Sequence, residues 1–305
     1  MSFWQSAVGL FTIYSYLCTI FYKKYMRKLF IFAVLASCIL SSCKTSFNQV
    51  YKSTDYDYKY EAAKEYYIAG QYSKCYQILE EFVMMLKGTE KGEESLFMLA
   101  MSYYKLHDYE TAVLYFDRYF KTYAKGIYAE TAKFYSGKAS YMQSPDIRLD
   151  QSPTITAINS LTDFIEIYPY SKRTKDAFEM IDELRDRLAL KEYQASKLYY
   201  NLGSYTGNCY NGGSNYQACI ITAENALKTY PSTPLREEFY IMILRARYHL
   251  AVKSVAEKQE ERYRETIEEY YGFKNEFPDS KYMKEAERIF THAVARQPMD
   301  KDKTD

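Results

Sequence analysis

Tyr66 and Tyr103 head the same pattern 37 residues apart. The stretches EYYIAGQYSKCYQILEEF (Glu65–Phe82) and SYYKLHDYETAVLYFDRY (Ser102–Tyr119) each read Tyr-Tyr, four residues, Tyr, two residues, then a small side chain. Apolar positions recur at three- and four-residue spacing, the period of a helix face, with a break between two such faces in each stretch. A helix–turn–helix unit repeated in this way cannot bury its apolar face alone, so the chain must stack its units. The repeat also accounts for the composition, since tyrosine fills 36 of 305 positions, several times ordinary usage.

The period lies close to the 34 residues of a tetratricopeptide repeat with a short extra loop. In the first unit Ala62, Ala63 and Tyr66 form the inner stripe of one helix, Gly70 turns the chain, and Tyr72 and Cys75 begin the second. Leu99, Ala100, Tyr103, Tyr109, Ala112 and Phe116 take those places in the next unit. A third unit starts near Glu130 with Phe134, Gly137 and Tyr141, and QSPDIRLDQSP (Gln143–Pro153) replaces its tight turn before a helix carrying Ala157, Leu161 and Phe164. A fourth has YYNLGSY, an inserted TGNCYNGGSN (Thr206–Asn215) and a helix with Cys219, Ala223, Ala226 and Leu227. The fifth pairs a helix from about Arg236 to Leu250 with one from about Glu260 to Phe277. YPYS, YPST and FPDS end three units, the proline stopping a helix and the Ser or Thr available to cap the next. The expected fold is all-α, a right-handed α-solenoid of about five tetratricopeptide-like helix pairs.

The N-terminus reads differently. Met26-Arg27-Lys28 precedes a twelve-residue apolar run, Leu29 to Leu40, too short for the roughly twenty residues of a spanning helix but suited to a secretory signal peptide. Leu40-Ser41-Ser42-Cys43 matches a bacterial lipobox, which makes Cys43 the lipidated N-terminus after cleavage. Leu35-Ala36-Ser37-Cys38 fits the same pattern but leaves only six apolar residues, Leu29 to Val34, before it. Residues 1–25 are either an extension ahead of the true start at Met26, the preferred reading, or a transmembrane segment with Lys23 and Lys24 on the cytoplasmic side. The expected organisation is thus 1–25 extension, 26–42 signal peptide, 43–55 polar lipid-anchored tether, 56–182 repeats one to three, 183–292 repeats four and five, and 293–305 a charged tail. Lys44-Thr45-Ser46 after Cys43 carries no acidic cluster of the kind that diverts a lipoprotein to the cell surface, which favours a periplasm-facing anchor.

A net charge of +1 leaves no basic footprint for nucleic acid. His107, His249 and His292 stand in no metal-binding spacing, and no nucleophile elbow, phosphate loop or dinucleotide fingerprint is present. Glu80/Glu81 and Glu268/Glu269 read as solvated pairs on outer helix faces rather than an acid–base couple. No enzyme, metal or cofactor is expected beyond the lipid on Cys43. Cys75 fits a packed small-residue position. Cys209 and Cys219 either bridge in an oxidising compartment or leave Cys219 in a buried repeat position.

A binding surface remains. The stripe beside the packing stripe on each first helix holds Tyr60, Lys64 and Tyr67, then Phe97, Met101 and Tyr104, then Phe134, Lys138, Tyr141 and Met142. Spacing of i, i+4, i+7 puts each set on one face. Aromatics with a few cations suit an extended, partly apolar peptide; the other reading is that these rings fill the core between repeats.

The lipobox, the helix pairs, the proline-containing insertion followed by AINSLTDFIEIYPYSKRTKDA (Ala157–Ala177), and LRDRLALKEYQASKLYY (Leu184–Tyr200) together resemble the BamD (YfiO) family of outer-membrane assembly lipoproteins. The resemblance implies a non-enzymatic subunit of the β-barrel assembly machinery working with BamA and other subunits on unfolded outer-membrane barrel proteins. It associates repeats one to three with substrate, and repeats four and five, Arg236–Phe290 in particular, with BamA. The longer turn of the fourth unit and the longer helices of the fifth depart from the family pattern. The alternative is a tetratricopeptide lipoprotein that scaffolds cell-envelope or peptidoglycan proteins or takes part in nutrient capture.

Overall fold

The computed structural model describes residues 47–205 and 214–297. All regular elements among them are α-helices. Contacts group the chain into one unit ending at Phe82 and another beginning at Val83.

The first unit holds α1 (Phe47–Tyr51), α2 (Tyr56–Ile68) and α3 (Tyr72–Phe82). Asp55 starts α2 by accepting from the Asp57 and Tyr58 amides at 3.0 and 3.2 Å, which satisfies donors that have no partner inside the helix. Gly70 turns the chain with φ +71°, and Ala63 and Cys75, both fully buried, let α2 and α3 meet closely. The expected polar tether over 43–55 is corrected in its second half. Val50 of α1 is fully buried, and the Phe47 ring lies 6.2 Å from that of Tyr66, so apolar side chains hold this stretch on the helix pair.

The second unit runs α4 (Glu90–Lys105), α5 (Tyr109–Thr122), α6 (Ala129–Met142), α7 (Ser152–Ile167), α8 (Thr174–Leu202), α9 (Asn215–Thr229), α10 (Arg236–Val252), α11 (Ala256–Glu276) and α12 (Met283–Val294). Each helix packs on the next, and α6 also touches α8, α8 touches α10, and α10 touches α12. This is the stacking of a helical solenoid, in which first helices of successive pairs meet. The pairs α2/α3, α4/α5, α6/α7, α8/α9 and α10/α11 correspond to the units read from the sequence.

The joints explain why the pairs stack in register. Tyr168, Tyr230 and Phe277 close α7, α9 and α11 with φ of −125°, −124° and −130° and ψ of 61°, 65° and 64°. Each precedes a proline, whose ring bars the helical conformation from the residue before it. The hydroxyls that follow then accept from backbone amides two residues on: Ser171 from Arg173 at 3.0 Å, Thr233 from Leu235 at 3.3 Å and Ser280 from Tyr282 at 2.9 Å. Ser171 and Ser280 also donate to Glu130 and Glu237 on earlier first helices, at 2.7 and 2.5 Å. Each of these two joints is therefore pinned to the pair before it.

α8 is 29 residues long. Its Ala177, Ile181 and Leu184 complete a core with Phe134, Leu161 and Phe164, while Tyr193, Tyr199 and Tyr200 pack on a second core built from Cys219, Ala223 and Phe239. The expected division between residues 182 and 183 thus falls inside one rod that serves both cores. α12 lies beyond the fifth pair and buries Ala286, Ile289 and Ala293. Its opposite side carries exposed Lys284, Glu287 and Arg288, the polar outer face that ends a repeat array. The expected tail from 293 begins inside this helix, and residues 298–305 lie outside the described residues.

Candidate interaction surface

In the first unit, Tyr60 is buried at 5% exposure. The Lys64 ammonium stands 5.7 Å from its ring, and half-buried Tyr67 meets Tyr72 edge-on at 5.7 Å. Beside them is a residue that the sequence reading missed: Lys59 is only 2% exposed and donates to Glu81 at 2.7 Å. Burying an ammonium is costly unless a counter-charge meets it.

In the second unit, Phe97 stacks on Tyr128 with centroids 4.4 Å apart and planes 10° from parallel. Met101 is buried, and Tyr104 sits edge-on to Tyr109 and Tyr135 at 5.6 and 5.0 Å. Phe134 is buried against Phe164 at 5.3 Å, with the Lys138 ammonium 5.9 Å from its centroid and equally far from that of Tyr135. The Tyr141 hydroxyl donates to Glu183 at 2.6 Å, and the Arg187 guanidinium covers the Tyr141 ring while pairing with Glu183 at 2.7 Å.

Tyr60, Met101 and Phe134 therefore belong to the core, which corrects the expectation that they line an open groove. Packing against neighbouring helices removes more apolar area from water than a solvent-filled groove would. Lys64, Tyr67, Phe97, Tyr104, Lys138 and Tyr141 stay half-buried, and Met142 is exposed. Burial, then the bond to Glu183, raises the Tyr141 hydroxyl above its ordinary range, while the bonds from Tyr141 and Arg187 hold Glu183 below the usual carboxylate range. The cluster is thus a fixed donor–acceptor set at neutral pH. Glu183 and Arg187 stand four apart in the sequence, a visible helix pair, but nothing there pointed to Tyr141 as their third member.

The family described as YfiO, outer membrane lipoprotein, matches residues 53–209, just over half of the chain. The chain belongs to the YfiO family. Among curated relatives, "Outer membrane protein assembly factor BamD" of Caulobacter vibrioides is 24% identical over 174 residues, 56% of this chain and 57% of that protein. The protein of the same description from Rickettsia prowazekii is 26% identical over 129 residues, 42% of this chain and 51% of its own. The chain therefore matches a little over half the length of these relatives. A solved Podosopora anserina putative kinesin light chain with TPR-like repeats covers 73% of this chain and 96% of its own at 16% identity, with a TM-score of 0.29, too loose a likeness to carry more.

The YfiO match ends before α9, so the C-terminal helices of this family member lie outside it. There, Arg247 of α10 meets Glu224 of α9 at 2.6 Å and Glu265 and Glu269 of α11 at 3.2 and 3.0 Å. Arg245 grips both carboxylate oxygens of Glu285 at 2.7 and 2.6 Å, the fork geometry that suits guanidinium. The expectation of Glu268/Glu269 as a solvated pair is corrected at Glu269, whose side chain is 17% exposed. Burial raises its carboxyl despite the opposing pull of Arg247. Glu80 and Glu81 are both exposed, as the solvated reading expects, although Glu81 also pairs with the buried Lys59 of the facing helix at 2.7 Å. Long-range pairs of this kind carry no sequence signal.

Cys219 is fully buried on α9, and Cys209 and Cys43 of this YfiO-family chain lie outside the described residues. His107 sits exposed in the turn between α4 and α5, with Nδ1 2.6 Å from the Tyr109 hydroxyl. His249 stacks on Tyr216 at 5.4 Å, and His292 meets Tyr248 edge-on at 5.4 Å. Among the described residues no group of three metal-binding side chains converges, and no helix is long and apolar enough to cross a membrane.

Proposed function

We propose that this chain is a non-enzymatic outer-membrane protein assembly factor of the BamD type, anchored through lipid on Cys43 and facing the periplasm. The observation that carries the reading is the YfiO match over residues 53–209, joined to two relatives that are both named assembly factors. Its partners are BamA, other subunits of the assembly complex, and unfolded barrel proteins on their way into the outer membrane. A stacked helical array supports such a role because it offers long faces to extended chains without closing a pocket. In the second unit, half-buried Phe97, Tyr104, Lys138 and Tyr141 are the residues for substrate contact, offering ring faces and an ammonium. The C-terminal helices from Arg236 to Phe290 are the BamA-facing end.

Copurification tests the complex. BamA recovered with the tagged chain at stoichiometric level is the expected result, and its absence would favour a general envelope scaffold. Intact mass tests the anchor: an acylated N-terminal Cys43 is expected, and an unmodified Cys43 or a retained Met1 would remove it.

A further inference from the structure

The insertion QSPDIRLDQSP stands where the other early units have a tight turn, and the assembly-factor reading gives it no task. It is a built loop. Gln151, 4% exposed, donates from Nε2 to the Asp146 and Leu149 carbonyls at 2.9 and 3.2 Å and accepts from Thr154 at 2.7 Å. Ser144 and Thr154 share a hydroxyl bond of 2.7 Å, and Lys191 of α8 reaches the Leu149 carbonyl at 3.2 Å. These bonds hold the loop as one wall of a cleft of about 410 Å³ between α5 and α7.

The cleft's apolar lining is Val113, Leu114 and Pro153, and its floor includes Ser140 and Gln143. Leu114 is 63% exposed, and Leu149 and Ile155 on the adjoining loop and helix are 59% and 51% exposed. Its ionisable lining groups are both acids, Glu110 and Asp150, and both are exposed. The apolar and acidic lining of the cleft comes from the second helices of two pairs and the loop, whereas the aromatic candidates lie on the first helices.

We propose that this cleft is a second polypeptide-docking site, whose occupant presents an apolar side chain beside a lysine or arginine. The apolar group covers Leu114 and Pro153, and the cation meets Glu110 and Asp150. An anionic lipid surface is disfavoured by those same carboxylates. A wall fixed before binding spares the occupant the loss of loop freedom.

The test uses the detergent-solubilised full chain and two synthetic peptides, one alternating leucine with lysine and one alternating leucine with glutamate, read by fluorescence anisotropy near physiological salt. The lysine peptide should bind at least about tenfold tighter than the glutamate peptide, and Leu114→Lys or Glu110→Lys should weaken it by about tenfold. Glu287→Lys on the outer face of α12 should leave it unchanged. All three positions are exposed, and matching thermal melts establish that the variants fold. Equal loss in the Glu287 variant would mean diffuse charge attraction, and indifference to both cleft variants would empty the site; either result overturns the proposal. So would light scattering in which Leu114→Lys splits an oligomer, because the occupant would then be a second copy.

Discussion

Gly70 and His107 hold the same place in two turns 37 residues apart, and both adopt a left-handed backbone, with φ of +71° and +64°. Glycine enters that region without steric cost, whereas a side chain pays roughly 1 kcal/mol or more. His107 is exposed; its backbone N–H donates to the Tyr104 carbonyl at 3.1 Å, and its Nδ1 lies 2.6 Å from the Tyr109 hydroxyl. His107→Gly is therefore expected to stabilise the fold by about 0.5–1 kcal/mol, measured as a higher denaturant midpoint at unchanged slope. A lower midpoint would show that the imidazole–tyrosine contact outweighs the strain.

Tyr119 is fully buried, yet its hydroxyl makes two hydrogen bonds. It donates to Glu93 at 2.5 Å and accepts from the Tyr128 amide at 3.1 Å, while Glu93 also accepts from the Ile127 amide at 2.8 Å. Tyr119→Phe keeps the edge-on and tilted ring contacts with Phe97, Tyr123 and Tyr128 and strands the Tyr128 N–H. A loss of about 1–2 kcal/mol is expected in chemical denaturation, and a neutral result would mean that water replaces the hydroxyl.

His249 lies among Tyr200, Tyr216 and Tyr248. Burial, and then Lys253, pull its imidazole below the ordinary 6.5. The unfolded chain thus binds the proton more readily, so this contribution to stability is complete above about pH 6.5 and is lost as pH falls below it. His249→Gln should flatten the melting temperature between about pH 6.5 and 5 relative to the parent. Glu183 and Glu285, held low chiefly by hydrogen bonds from Tyr141 and Arg245, act in a lower window. Their contribution is present above about pH 4.5 and fades as pH falls through their folded values.

Burial pushes the Cys219 thiol up to about 12. Thiolate is the reactive form, so iodoacetamide at pH 8 should leave Cys219 unlabelled in the native protein and label it in denaturant. Rapid native labelling, located by peptide mass, would refute the buried position. A Cys209–Cys219 bridge would instead block labelling in denaturant until reductant is added, so the same measurement decides between the two readings of this cysteine.

The helix pairs, the Gly70 turn, the paired small residues Ala63 and Cys75, and the proline joints were all legible in the sequence. Each depends on local rules: a period of three to four for the faces, left-handed backbone for the turn, and a conformation denied to the residue before proline. Candidate surface residues were legible only as a stripe. Tyr60 and Tyr67 share that stripe, yet one is buried and the other half-exposed, because the neighbouring helices decide which side of the stripe they cover.

By itself the sequence determined the all-helical array and its units, since both are carried by spacing along the chain, while the residue runs Ala157–Ala177 and Leu184–Tyr200 carried the resemblance to the family. Only the tertiary structure decided that Phe134 is core, that Arg247 gathers three glutamates from two helices, that α8 serves two cores, and that the third-unit insertion is a bonded wall rather than a slack loop. Those outcomes depend on groups tens of residues apart meeting in space, where burial sets the strength of each charge and hydrogen bond.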